Sequence, residues 1–114
     1  MSQKIRRGSI FWANLDPTIG VEIKKQRPVI VVSNNVINQH SRLVIVIPLT
    51  TNINRLSPSH VLLPQGEGGL NQDSKALTEQ IRAIDKQRLV NRVGSVSNRF
   101  LRLIEQAILN SLDM

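Results

Sequence analysis

The chain contains no cysteine. Disulfides and thiolate metal sites are therefore excluded together. Tyrosine is also absent, and the aromatic residues amount to Phe11, Trp12 and Phe100. So sparse a set does not furnish the aromatic sheet on which RRM modules stack bases. The two histidines, His40 and His60, lie far apart and form no helical pair, so no transition-metal centre and no cofactor is expected. No apolar run approaches the roughly 20 residues of a bilayer-spanning helix. The opening stretch MSQKIRRGSIFW has no long apolar segment, so a signal peptide is not expected and a cytoplasmic location is the default. Acidic residues are outnumbered: fifteen Lys and Arg face eight Asp and Glu, for a net charge of +7 and a pI near 11.2. This surplus favours polyanionic partners, whether nucleic acid, anionic lipid or an acidic protein segment. A merely soluble basic protein would carry it too.

What is present reads as one domain over residues 1–114, since a second core does not fit in this length. Such a domain buries about two-thirds of its unfolded surface and folds without staples. The centre of the pattern is KKQRPVIVVSN, Lys24 to Asn34. Val29 to Val32 are all β-branched, the signature of a strand buried on both faces. Pro28 is tolerated as a first strand residue and biases Arg27 toward extended backbone. Ser9–Leu15 reads as a preceding strand, closed by the turn signal Asp16-Pro17, with a loop from Thr18 to Gln26. Asn34–Arg42 reads as a loop with a helical turn. Leu43–Leu49 is the third strand, where Pro48 implies a bulge or an edge. Ser59–Leu63 is a short strand and the Gly-rich Pro64–Asp73 a loop. Ser74–Ile84 suits helix by propensity and strand by alternation; strand is preferred, followed by a helical turn over Asp85–Leu89 and a last strand at Asn91–Val96. From Ser97, a good N-cap, Phe100, Ile104, Ala107, Ile108 and Leu112 recur at helical spacing. The expected architecture is a compact, barrel-like antiparallel sheet with helical additions.

Several residues can carry chemistry. Arg27 presents a planar, charged fork that matches phosphate oxygens; it equally suits an ion pair with Glu22 across the loop. Thr50 and Thr51 end the third strand, where a hydroxyl can donate to phosphate or cap a turn. Asn34 ends the second strand, so the two strand ends can face one another if those strands pair. In Glu79-Gln80-Ile81-Arg82, a strand would set Gln80 and Arg82 on one face and Glu79 on the other, more apolar one. A two-histidine ribonuclease mechanism is not supported: His60 lies in a strand-like segment beside Val61-Leu62-Leu63, and neither histidine has a marking partner. PQGEGG lacks the lysine and following helix of a phosphate-binding loop.

Taken in order, the fragments RGSIFW, NLDP, GVE, RPV, SN, PLTT and LTEQIRAIDKQRL resemble the MazF/PemK toxins of bacterial toxin–antitoxin systems. The resemblance runs from about Arg7 to the terminal helix, and RPV and EQIRAIDKQRL are its most specific parts. It implies a mainly β, SH3-like barrel of the MazF/PemK/CcdB type with a C-terminal α-helix. It implies a homodimer and a sequence-specific, metal-independent endoribonuclease that cuts single-stranded RNA at short sequences. It also implies a cognate antitoxin whose acidic, flexible tail occupies the RNA groove. The family's catalytic arginine and threonine match Arg27 and Thr50. Glu22 matches the loop glutamate, an alternative general base. Asn34, Glu79 and Gln80 match positions lining the RNA site, with Thr51 and Arg82 beside them and Lys24 and Lys25 as a basic rim.

The implied reaction is attack of a ribose 2′-hydroxyl on the adjacent phosphorus, leaving a 2′,3′-cyclic phosphate and a 5′-hydroxyl. Arg27 and Thr50 would stabilise the charge that builds on the nonbridging oxygens. Relatives are often Gly-rich just before the arginine; here the segment is VEIKKQ, stiffer and more basic, so no RNA target sequence transfers. One rival reading keeps the fold without the chemistry, a CcdB-type toxin that binds DNA gyrase; another, favoured by charge alone, is a noncatalytic RNA-binding module.

Overall fold

The computed structural model describes residues 4–15 and 26–114. Among them seven strands and two α-helices follow in order: Ser9–Asn14 (β1), Gln26–Val31 (β2), Asn35–His40 (α1), Leu43–Thr50 (β3), His60–Leu63 (β4), Ser74–Leu77 (β5), Arg82–Asp85 (β6), Leu89–Ser95 (β7) and Asn98–Ser111 (α2). Three of the four residues of the β-branched run form the middle of the sheet; Val32 falls outside β2 and is half-buried. Val29, Ile30 and Val31 have no exposed surface. Alternation sends Val29 and Val31 into one cluster with Phe11, Ala13, Val44, Val46 and Ile84. Ile30 goes to the other face, with Ile10, Ile47, Leu49, Leu63 and Ile104. The amphipathic α2 covers that second face through Ile104 and Ala107, both buried.

The sheet order is β4-β5-β3-β2-β1-β7, with β6 on the same edge of β3 as β5. Every pairing is antiparallel. The two outermost strands, β4 and β7, do not pair among the described residues, so the sheet is open. The closed barrel expected from the sequence is not formed. Closure requires each strand edge to find a partner; here α2 packs against the outer strand β4 instead.

Two further boundaries differ from expectation and one is sharpened, each for a tertiary reason. β2 begins at Gln26, so Arg27 is a strand residue opposite Ala13 and not the last residue of a loop. Pro48 marks a local edge and not a bulge. It pairs with Val29 on one side, while on the other side β3 changes partner, from β6 at Val46 to β5 at Leu49. A proline has no N–H to leave unpaired in that gap. The single strand expected over Ser74–Ile84 is broken by a 3-10 turn, Thr78–Gln80. Thr78 is fully buried; its N–H and hydroxyl both donate to the Ser59 carbonyl, and its Oγ1 lies 3.0 Å from Ser111 Oγ. Those bonds pull the chain out of line where β3 offers no partner. The residues after Asn34 form α1, capped by Asn34 Oδ1 accepting from Ile37 N at 2.9 Å.

The Gly-rich loop is a packing device. Gly66, Gly68 and Gly69 all have positive φ, and a Cβ on Gly68 would come 2.6 Å from Ile10 Cδ1. At the start of α2, Ser97 occupies the N-cap position but makes no side-chain cap bond. Glu67 instead accepts from Ser97 N at 2.6 Å, which sets a carboxylate at the positive end of the helix.

Candidate active site

β2 and β3 are paired only as far as Val29 and Pro48. Beyond that point each keeps its other neighbour. β2 stays on β1 through Arg27 opposite Ala13 and Gln26 opposite Asn14. β3 stays on β5 through Leu49 opposite Ala76 and Thr50 opposite Lys75. The sheet forks, with Arg27 on one prong and Thr50 on the other, each two residues past the last shared pair. A strand period of two puts both on the face of Val29 and Pro48. Both residues are half-buried. Thr50 Oγ1 accepts from Asn52 N at 3.2 Å, which occupies a lone pair and leaves the hydroxyl proton free to donate.

Sequence reasoning missed the residue beside Thr50. Lys75 lies directly across from it on β5, hence on the same face, and is only 7% exposed. Its ammonium donates to the Arg55 carbonyl and pairs with no carboxylate among the described residues. It thereby ties the segment that follows Thr50 to β5. The signal was available only in part: a lysine in SKAL reads as the solvent face of an alternating strand, yet β5 is interior and buried at all four positions.

The other sequence candidates are spread more widely. Thr51 adjoins Thr50 and is exposed. Asn34 is not at this end: β2 and β3 are antiparallel, so the residues after Val31 lie by the start of β3, away from Thr50. Its side chain is engaged as the cap of α1. Glu79 and Gln80 belong to the 3-10 turn and Arg82 to β6, so Gln80 and Arg82 do not share a strand. Glu79 is exposed rather than turned to an apolar face. Its carboxylate meets Ser59 Oγ at 3.3 Å and His60 Nε2 at 3.4 Å. His60 Nδ1 accepts from Ser57 N at 3.1 Å, so the neutral ring carries its proton on Nε2, toward Glu79. These bonds fasten the turn to the start of β4, a structural use of His60. The turn lies on the opposite edge of β3 from β2, hence roughly 10 Å from Arg27 across two strand spacings. Glu22, Lys24 and Lys25 lie outside the described residues. Among the described residues no three His, Asp or Glu side chains gather closely enough to hold a metal ion, and no helix is long and apolar enough to cross a membrane.

The whole arrangement has known counterparts. Residues 6–112 match the family described as PemK-like, MazF-like toxin of type II toxin–antitoxin system. The chain is 39% identical over 115 residues to endoribonuclease MazF9 of Mycobacterium tuberculosis, covering 96% of this chain and 98% of that one. It is 35% identical over 109 residues to endoribonuclease EndoA of Bacillus subtilis, covering 95% and 94%. The crystal structure of a MazE–MazF complex from Deinococcus radiodurans has the same fold, with a TM-score of 0.83 at 23% identity over 99% of both chains. With the forked antiparallel sheet, the C-terminal helix and a match spanning nearly its full length, the chain belongs to the PemK-like, MazF-like toxin family of type II toxin–antitoxin systems.

Proposed function

We propose that this protein is an endoribonuclease toxin that cuts single-stranded RNA without a metal ion. The observation that carries the reading is the fork, which holds a guanidinium and a hydroxyl with a free proton on opposed prongs of one sheet face. The names of MazF9 and EndoA give the reaction class. A phosphodiester across the fork takes charge-assisted hydrogen bonds from Arg27 and one from Thr50 Oγ1. The ribose 2′-oxygen attacks the adjacent phosphorus while the bond to the 5′-oxygen breaks. The leaving 5′-oxygen keeps the bonding pair and takes a proton from solvent, so the products are a 2′,3′-cyclic phosphate and a 5′-hydroxyl. Charge on the nonbridging oxygens grows toward the transition state, where preorganised donors are worth most. Arginine holds its proton tightly and is a poor base; Glu22 is the carboxylate we assign to accept the 2′-proton. Glu79, Gln80, Arg82 and Thr51 line the approach of the strand, and Lys24 and Lys25 gather it. Asn34, engaged with α1, serves RNA only at the far end of β2.

The protein works as a homodimer in the cytoplasm and is silenced by a cognate antitoxin, whose acidic, flexible tail competes for the same basic surface. The net charge of +7 supports that competition. Incubation of the pure protein with a long RNA in EDTA tests the reading. The expected outcome is discrete fragments ending in cyclic phosphate. Intact RNA after prolonged incubation overturns it in favour of a noncatalytic RNA-binding module or a CcdB-like gyrase-binding toxin, which require neither Arg27 nor Thr50.

A further inference from the structure

A small cavity of about 120 Å³ sits in the mouth of the fork. One prong contributes Trp12 and Pro28, which are cross-strand neighbours. The other contributes Thr51, and the loop beneath supplies Leu70, Asn71 and Gln72. The cavity holds several times the roughly 30 Å³ that one water occupies in the liquid, and is well below the roughly 300–1,000 Å³ of a drug-sized pocket. A single flat ring suits it.

Two features set it apart from a gap in the core. Trp12 is the chain's only tryptophan, and it is 39% exposed on a sheet whose neighbouring positions Phe11 and Ala13 are buried. An indole kept at a pocket wall, beside a proline and a buried leucine, is a stacking surface. Asn71 and Gln72 are exposed, and each amide offers both donors and acceptors. The pocket also stands in register with the proposed chemistry. Pro28 follows Arg27 on β2, so the two point to opposite faces, and Thr51 directly follows Thr50 where β3 ends. The pocket therefore adjoins both residues of the proposed site through their chain neighbours.

We infer that this pocket receives the nucleobase next to the scissile phosphodiester of a single-stranded RNA. The Trp12 ring stacks on the base, and the Asn71 and Gln72 amides meet its edge. The inference rests on the nuclease reading and adds to it a determinant of where the RNA is cut.

The test begins by sequencing the ends that the wild-type protein produces from a complex RNA pool. An oligonucleotide spanning the preferred site, with a 2′-deoxy sugar at the cut position, then serves as a noncleavable probe. Its binding should change the fluorescence of Trp12 in a saturable way. Removing the base at one flanking position should abolish that change and weaken binding about 5- to 150-fold, the span for losing one base–aromatic stack. Trp12→Ala should raise KM by a similar factor, and Trp12→Phe should restore most of it. Asn71→Ala and Gln72→Ala, on an exposed loop, should broaden the set of sites cut while Trp12 still reports binding. If the wild-type protein cuts RNA but the probe binds without a fluorescence change, or if these variants cut the same sites with the same KM, the pocket assignment is wrong. A wild-type protein that cuts no RNA overturns the nuclease reading and this inference with it.

Discussion

Thr50 is held ready by a backbone amide rather than by another side chain. The Asn52 N–H donates to its Oγ1, so the hydroxyl proton is not used in that bond, and Lys75 across the strand ties down the segment that carries Asn52. Thr50→Ser keeps the hydroxyl and should retain most of the cleavage rate. Thr50→Val keeps the shape without the donor and should lose roughly a hundred- to a thousandfold in kcat. Arg27→Ala should lose at least as much, with an unchanged circular dichroism spectrum, because the side chain is half-buried at the end of a strand and not in either core cluster. Near-normal kinetics in Arg27→Ala would remove it from the site. Arg27 and Thr50 entered the candidate site through the family resemblance; by position alone Arg27 equally suited an ion pair and Thr50 a turn cap. Lys75 was not legible in the sequence, because the burial of β5 depends on β3 and β4 lying on either side of it.

The elements around the fork are placed by packing at close range. The loop carrying Gly68 and Gly69 lies so near β7 that a Cβ on Gly94 would meet the Gly68 carbonyl oxygen. The obstacle is backbone, which cannot rotate aside as a side chain does. Gly94→Ala should therefore cost about 1–3 kcal/mol, the usual range for overpacking, read as a lower urea midpoint with an unchanged slope. Because Gly69 and Leu70 also border the cavity in the fork, the same substitution should loosen RNA binding in the folded protein. The sequence pattern was accurate where one face of an element decides its period, as in β1 and α2. It failed over Ser74–Ile84, where alternation promised one strand. A buried threonine bonded to Ser59 and a proline gap in β3 divide that stretch into two.

Across the whole molecule, the open sheet leaves β4 as an outer strand with α2 beside it, and the apolar residues Leu62, Leu103, Leu109 and Leu112 remain exposed there and along α2. Of these, Leu62 and Leu103 line one groove between β4 and α2, while Leu109 and Leu112 lie elsewhere around the helix; the homodimer proposed above is tested by its mass. Light scattering at micromolar concentration should give a mass of twice the 12.8 kDa chain. A mass of one chain would contradict the dimer.

Composition and local order were enough to exclude disulfides and thiolate metal centres, to find the buried central strand and the terminal helix, and to mark Arg27 and Thr50 as candidates among other readings. These depend on residue type and on periods of two or 3.6, both of which are written locally. The fork, the open edge, the burial of Lys75 and the pocket beside Trp12 arise from which strand each edge chooses as its neighbour. That choice is a contest among residues distant in the chain: Pro48 withholds a donor, Thr78 binds Ser59, and β3 exchanges one partner for another. No local pattern records its outcome.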